Sequence, residues 1–265
     1  MLIVAERINA SRKAIRAALE KLDADAIAGE VRLQAAAGAH YIDLNGGTFP
    51  GREAELLCWL VDTAQQATTL PLCLDSSDPA ALAAALPRVR GARPMVNSIT
   101  LERDRYARVL PLAREHGAKL IALAQGEDVP ASTAAQKVDL ANRLVERLTG
   151  AGIALDDLYV DPLVFPVATD SSSAQATVAA IREVMTRFPG VHTICGLTNV
   201  SYGLPARKLV NRVFLAGAIA AGMDAAIIDP TDPQLMAVMV GAEAVFGRDD
   251  YCMHFIDAFQ SGKIS

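Results

Sequence analysis

Short apolar runs recur about every 30 residues along this chain, each followed by a longer amphipathic segment, and that is the spacing of a βα unit. The runs fall at Leu2–Ala5, Tyr41–Leu44, Leu72–Leu74, Met95–Val96, Leu120–Leu123, Leu158–Val160, Thr193–Cys195 and Ala225–Ile228. Between them the spacing predicts helices over Ala24–Ala37, Arg52–Ala67, Glu102–His116, Ala134–Leu148, Ala174–Phe188 and Ala206–Ala221. A short one is expected near Pro79–Leu86 and a last one over Pro233–Phe246. Several of these segments end in Gly just before the next run, at Gly38, Gly117, Gly152 and Gly222, as a helix stop requires. Eight such units without a Pro/Gly/Ser-rich linker predict an α/β fold, a closed (β/α)8 TIM barrel, as one domain over residues 1–265. The competing architecture is an open doubly wound sheet. That fold brings a Gly-rich phosphate loop after its first strand, and here the first run enters Glu6-Arg7-Ile8-Asn9.

Bulk properties exclude several function classes. The net charge is −5 with both signs scattered, so no basic stripe is available for nucleic acid. Only the five apolar residues Met1–Ala5 precede the charges at Glu6 and Arg7, too few for a signal peptide, and no later run approaches membrane-spanning length. Cys58, Cys73, Cys195 and Cys252 stand far apart, so reduced, buried thiols and a cytoplasmic location are expected.

The ends of the apolar runs carry the chemistry. They close on Glu6 and Asn9, Asp43 and Asn45, Asp75, Asn97, Gln125, Asp161, Asn199 and Asp229. In a barrel these positions share the C-terminal rim, where active sites are built. A strand-end Asp or Asn also serves as a helix cap or turn former; Asp78 and Asp232, each just ahead of an apolar helix, fit that reading better. No HExxH or Cys/His cluster offers a metal site, and no Ser or Cys stands in a nucleophile context. His40 and His192 precede their runs and are expected on the opposite face. Carboxylates and carboxamides alone suit a flat heterocycle with several donors and acceptors, such as the amino-pyrimidinone edge of a pterin.

These segments resemble the methyltetrahydrofolate–corrinoid protein methyltransferases and, more distantly, the folate-binding domain of cobalamin-dependent methionine synthase. The resemblance rests on Ile42-Asp43-Leu44-Asn45, Leu72-Cys73-Leu74-Asp75-Ser76, Val96-Asn97-Ser98 and Leu158-Tyr159-Val160-Asp161-Pro162. It rests above all on Gly196-Leu197-Thr198-Asn199-Val200-Ser201-Tyr202-Gly203, followed by Arg207 and Asn211-Arg212-Val213-Phe214-Leu215. It implies a pterin-binding barrel with Asp75, Asn97 and Asp161 on the pterin ring, and Asp43 and Gly196 in the same substrate site. Asn199 would lie beside N5, with Asp161 as its catalytic partner, and Arg207 near the aminobenzoate–glutamate tail. The substrate would be tetrahydrofolate or 5-methyltetrahydrofolate, and a homodimer is expected. Because no Asp-x-His-x-x-Gly segment of the cobalt-ligating kind is present, cobalamin would ride on a separate corrinoid protein. Two departures stand out: the glycine-rich loop Asn45–Gly51, and Thr198, where relatives more often carry Ser. Dihydropteroate synthase shares the barrel, but its first strand leads into an Asn-Val-Thr-Pro-Asp-Ser-Phe loop, where this chain has Arg7-Ile8-Asn9-Ala10-Ser11-Arg12. Ala206-Arg207-Lys208 resembles part of that synthase's basic segment and keeps the alternative open. A non-catalytic folate-binding barrel is the third reading, disfavoured by the polar Thr198-Asn199-Val200-Ser201.

Overall fold

A strand buried on both faces is written as a continuous apolar run, and that is how these residues are used. The computed structural model describes residues 1–47, 49–127 and 131–264. Its strands are β1 (Leu2–Asn9), β2 (Tyr41–Asn45), β3 (Leu72–Asp75), β4 (Met95–Ile99), β5 (Lys119–Leu123), β6 (Leu158–Asp161), β7 (His192–Thr193) and β8 (Ala225–Ile228). All are parallel and lie in chain order, with β8 returning to pair with β1. The last seam, β7 to β8, is held by a bridge between Gly196 and Ile227, where the Ile227 N–H donates to Cys195 O at 2.9 Å. The expected (β/α)8 barrel is the fold.

The helices are α1 (Lys13–Lys21), α2 (Ala24–Ala36), α3 (Glu53–Ala67), α4 (Pro79–Ala85), α5 (Arg103–Glu115), α6 (Ala134–Gly150), α7 (Ser173–Arg187), α8 (Arg207–Ala220), α9 (Pro233–Val245) and α10 (Met253–Gln260). The predicted glycine stops hold: Gly38, Gly117, Gly152 and Gly222 all take positive φ. Asp78 and Asp232 cap α4 and α9 through their carboxylates, as anticipated. Three expectations need correction. Helices α1 and α10 have no counterpart among the expected segments, because both are short and border charged or irregular stretches. Strand β1 continues past Ala5 to Asn9, through a register shift against β2 that leaves Ile8 fully buried. Strand β7 is His192–Thr193, earlier than expected.

Apolar packing divides by layer. Between sheet and helices lie the large clusters around Leu44, Leu74, Val96 and Leu120, and around Phe214, Leu215 and Ile228. Inside the barrel a separate layer is formed by Val4, Tyr41, Cys73, Met95, Ile121, Tyr159, Ile194 and Ile227. This plug is the floor on which the functional rim stands. All four cysteines are free; Cys73 and Cys195 are buried as expected, but Cys58 is half-buried and Cys252 is exposed beside α10.

Candidate functional site

Side chains along a strand repeat on one face every second residue. Stepping two residues up from each member of the plug gives Glu6, Asp43, Asp75, Asn97, Leu123, Asp161, Gly196 and Asp229. All eight line one cleft of about 1280 Å³ at the C-terminal rim. Six of the eight are polar. The cleft also takes in Asn9, Gln125, Asn199 and Arg207, so every residue expected at the substrate site lies on its wall. Asn45 lies behind it, donating from Nδ2 to Asp75 Oδ2 at 2.6 Å and accepting from the Gly47 N–H. Of the glycine-rich loop that follows, Thr48 lies outside the described residues.

Of the rim carboxylates Asp43 and Asp161 are buried and Glu6 and Asp75 half-buried, while Asp229 pairs with Arg7 at 2.9 Å. Among the described residues none of Glu6, Asp43, Asp75 or Asp161 has an ion-pair partner within 4.0 Å. Desolvation therefore dominates their protonation. Burial pushes Glu6 up to about 7, helped by the charge of Asp229. Burial raises Asp75 to about 6, against the Asn45 hydrogen bond and the Arg105 charge. Asp161 also rises to about 6 through burial, although it accepts from the Leu163 N–H at 2.7 Å and the Gly196 N–H at 3.4 Å. Asp43 goes well above the usual carboxylate range, first by burial and then by the charge of Asp75. Near neutrality the cleft thus holds largely ionised Asp75 and Asp161 and Glu6 close to its midpoint, with Asp43 shifted toward its protonated form. Each ionised carboxylate keeps lone pairs for N–H donors from a ligand.

Asn199 sits on a 3-10 turn (Leu197–Ser201) that follows β7. Arg207 braces that turn, donating from Nη2 to Thr198 O at 2.8 Å and from Nε to Ser201 Oγ at 3.1 Å. Gly196 leaves Asn199 its room: a Cβ there would stand 3.3 Å from Asn199 Nδ2. Thr198 Oγ1 donates to Glu6 Oε2 at 3.3 Å and so ties the turn to β1. Glu6 is the site residue that its place at a strand end leaves without a role. Its signal lies in the two-residue step from Val4.

The geometry also holds structural cations that no motif announces. Lys137 of α6 is fully buried, with Nζ donating to Pro162 O at 3.0 Å and to Leu163 O, which pins the loop after Asp161. Arg105 of α5 plays a comparable part beneath Asp75 and Asn97.

Residues 5–229 match the family described as pterin binding enzyme. The chain belongs to that family. Across its whole length this pterin-binding chain is 34% identical over 270 residues to the methylcorrinoid:tetrahydrofolate methyltransferase of Eubacterium limosum, covering 98% of that protein. It is 35% identical over 243 residues to methionine synthase of Mycobacterium tuberculosis, where 86% of this chain spans 20% of the longer protein. Among solved structures, dihydropteroate synthase of Yersinia pestis with a pterine-sulfa conjugate superposes with a TM-score of 0.69 over 92% of each chain, at 18% identity. The synthase from Xanthomonas albilineans with 4-aminobenzoic acid gives 0.69 at 19%, over 93% of this chain and 91% of the other. At such identity these likenesses speak to the pterin-binding barrel as a fold.

Proposed function

We propose that this chain is a methyltransferase that moves a methyl group between N5 of methyltetrahydrofolate and the cobalt of a corrinoid carried by a separate protein. The observation that carries the reading is the full-length similarity to a methylcorrinoid:tetrahydrofolate methyltransferase, set on a rim whose unpaired carboxylates call for N–H donors. Asp75, Asn97 and Asp161 take the pterin edge, with Asp43 beneath them and Gly196 leaving space for the ring. Arg207 faces the aminobenzoate–glutamate tail while it braces the Asn199 turn.

A tertiary amine is a poor leaving group, so the N5–CH3 bond breaks readily only if a proton reaches N5. In the reverse direction that proton has to leave as the N–C bond forms. Asn199 is placed to hydrogen-bond at N5, and Asp161 is its partner across Gly196. Glu6, half-protonated near neutrality and tied to the Asn199 turn through Thr198, is a reservoir for the proton. A cobalt(I) corrinoid on the partner supplies the strong nucleophile. What this chain contributes is alignment and proton handling, the latter worth on the order of 10²–10⁴-fold.

The chain works in the cytoplasm and as a homodimer. The adjoining helices α8, α9 and α10 support the dimer, because they leave Leu209, Val213, Phe246, Ile256 and Phe259 exposed on the outer wall. The deciding experiment mixes purified protein with methyltetrahydrofolate and cob(I)alamin and follows methylcobalamin in the visible spectrum, with the reverse pair as a second arm. Transfer in either direction is expected. Folate binding without transfer in either direction, or condensation of p-aminobenzoate with a pterin pyrophosphate, would overturn the reading.

A further inference from the structure

Asp75 closes β3 and stands in register with Asn97 of β4, which runs on to Ile99 with a shifted register against β5. Ser76 N–H donates to Asn97 O at 3.1 Å, which is one stitch between the β3 exit and β4. The others come from one side chain. Arg105 Nε donates to Ser98 O at 2.8 Å, Nη1 to Ser77 O at 2.6 Å and Nη2 to Ser76 O at 2.8 Å. We propose that Arg105 is a positioning residue of the pterin end of the cleft: its guanidinium ties the backbone after Asp75 to the backbone after Asn97 and so sets the spacing of the two side chains that take the heterocycle. This deepens the folate reading given above and rests on it.

The residue type matters. Three carbonyls, two just after β3 and one within β4, are met by three N–H groups in one rigid plane, a pattern an ammonium on a flexible stem cannot reproduce. Among the described residues Arg105 has no carboxylate within 4.0 Å, so its charge is spent on carbonyl dipoles and acts at longer range. The charged groups around it are Glu102 of its own neighbourhood, Asp75 of β3, Glu53 of α3 and Asp78 ahead of α4. Those facing Asp75 are Glu53, which resists its ionisation, and Arg105, which favours it; Asn45 adds a hydrogen bond, and the charge of Asp75 in turn raises Asp43. Holding the loops and holding the charge on Asp75 are therefore two effects of one guanidinium. A loop brace with no bearing on the ligand would show neither a pH signature nor a split between binding and turnover.

The experiment is calorimetric titration of methyltetrahydrofolate into wild type, Arg105→Ala and Arg105→Lys between pH 5 and 8, with steady-state methyl transfer to cob(I)alamin alongside. Arg105→Ala should weaken folate binding roughly 10- to 100-fold at neutral pH, the scale of a misplaced binding group. Its acid limit of binding should move to higher pH. Turnover at saturating folate should change far less, because Asn199 lies on a different loop. Guanidinium chloride below its denaturing range should restore part of the affinity of Arg105→Ala, and Arg105→Lys should fall between the two. If Arg105→Ala fails to melt cooperatively, Arg105→Lys and Arg105→Gln carry the same comparison. Unchanged affinity overturns the inference, as does a loss that is equal at every pH and indifferent to guanidinium. Failure of the wild type to bind folate would strike the folate reading instead.

Discussion

The two ends of this barrel treat carboxylates in opposite ways. At the C-terminal rim Glu6, Asp43, Asp75 and Asp161 have no ion-pair partner among the described residues, and desolvation lifts the protonation range of all four. At the N-terminal end the acids are matched. His192 Nδ1 meets Asp224 at 2.6 Å and Nε2 meets Asp156 at 3.2 Å, while its ring stacks on Tyr159 with centroids 4.6 Å apart. Arg93 pairs with Asp157 at 2.8 Å, and Asp224 also accepts from the Thr193 N–H. There the shifts run the other way: the Asp224 hydrogen bond raises His192, and the His192 hydrogen bond lowers Asp156. The lesson is a division of labour. The lower end holds strands together with paired charge, and the upper end keeps hydrogen-bonding capacity free for a ligand.

The largest effect expected at the rim is on chemistry. Asn199→Ala should lower turnover about 10²-fold or more, since proton help at N5 is lost, while folate affinity falls far less. Equal losses in affinity and in kcat/KM at unchanged turnover would reduce Asn199 to a binding group.

Asp161 tests the contrast in stability as well as in binding. Removing its carboxylate, as in Asp161→Ala, should weaken folate binding by roughly 1.5–3 kcal/mol by titration calorimetry. In the free protein the sign reverses. A carboxyl raised from 3.8 to about 6 keeps a proton in the folded state that the unfolded chain has released. Its contribution therefore turns unfavourable as pH rises from about 4 to about 6, reaching on the order of 3 kcal/mol by neutrality. Asp161→Asn should accordingly melt higher than wild type at pH 7 and lose that advantage near pH 4. A variant that is destabilised at pH 7 would break the comparison between the ends.

Much of this contrast is legible in the order of the amino acids alone. Eight apolar runs at regular spacing specify the barrel, and the polar residue closing each run marks the rim because strands in a barrel all point one way. The finer signal is the step of two from Val4 to Glu6, Tyr41 to Asp43 and Tyr159 to Asp161, which separates inward side chains from Leu44 or Val160 packed against helices. Asn199 escapes that step because it sits on a turn beyond a two-residue strand. Arg105 and Lys137 are illegible for another reason. Their targets are backbone carbonyls on loops distant in sequence, and a carbonyl leaves no trace in residue identity. The exposure of Cys252 and the helix beside it likewise depends on how the chain packs after its eighth strand.

The smallest effect belongs to the lower end. His192 is raised above its usual range, so its contribution is complete below about pH 6.5 and fades as pH rises through its folded value. His192→Gln should cost roughly 1 kcal/mol at pH 6, less at pH 9, with folate affinity unchanged; thermal melts at the two pH values check it. Asp156→Asn, at a carboxylate mostly in solvent, should leave the melting temperature within error. A His192 variant that bound folate poorly would mean the two ends are not independent.

A closed ring of strands can widen only by parting somewhere, and the place with the fewest backbone links yields first. In this barrel that place is between β7 and β8, where a two-residue strand and one bridge at Gly196 and Ile227 complete the circle. The Asn199 turn hangs directly from that clasp, anchored on one side by Arg207 and on the other by Thr198 and Glu6. Breathing of the wall should thus concentrate at the Asn199 turn, while Asp75, Asn97 and Asp161 ride on the tightly laced arc from β2 to β6. In the proposed reading the heterocycle would be gripped by the more tightly laced side of the ring, and the group that handles the proton would be mounted on the looser side.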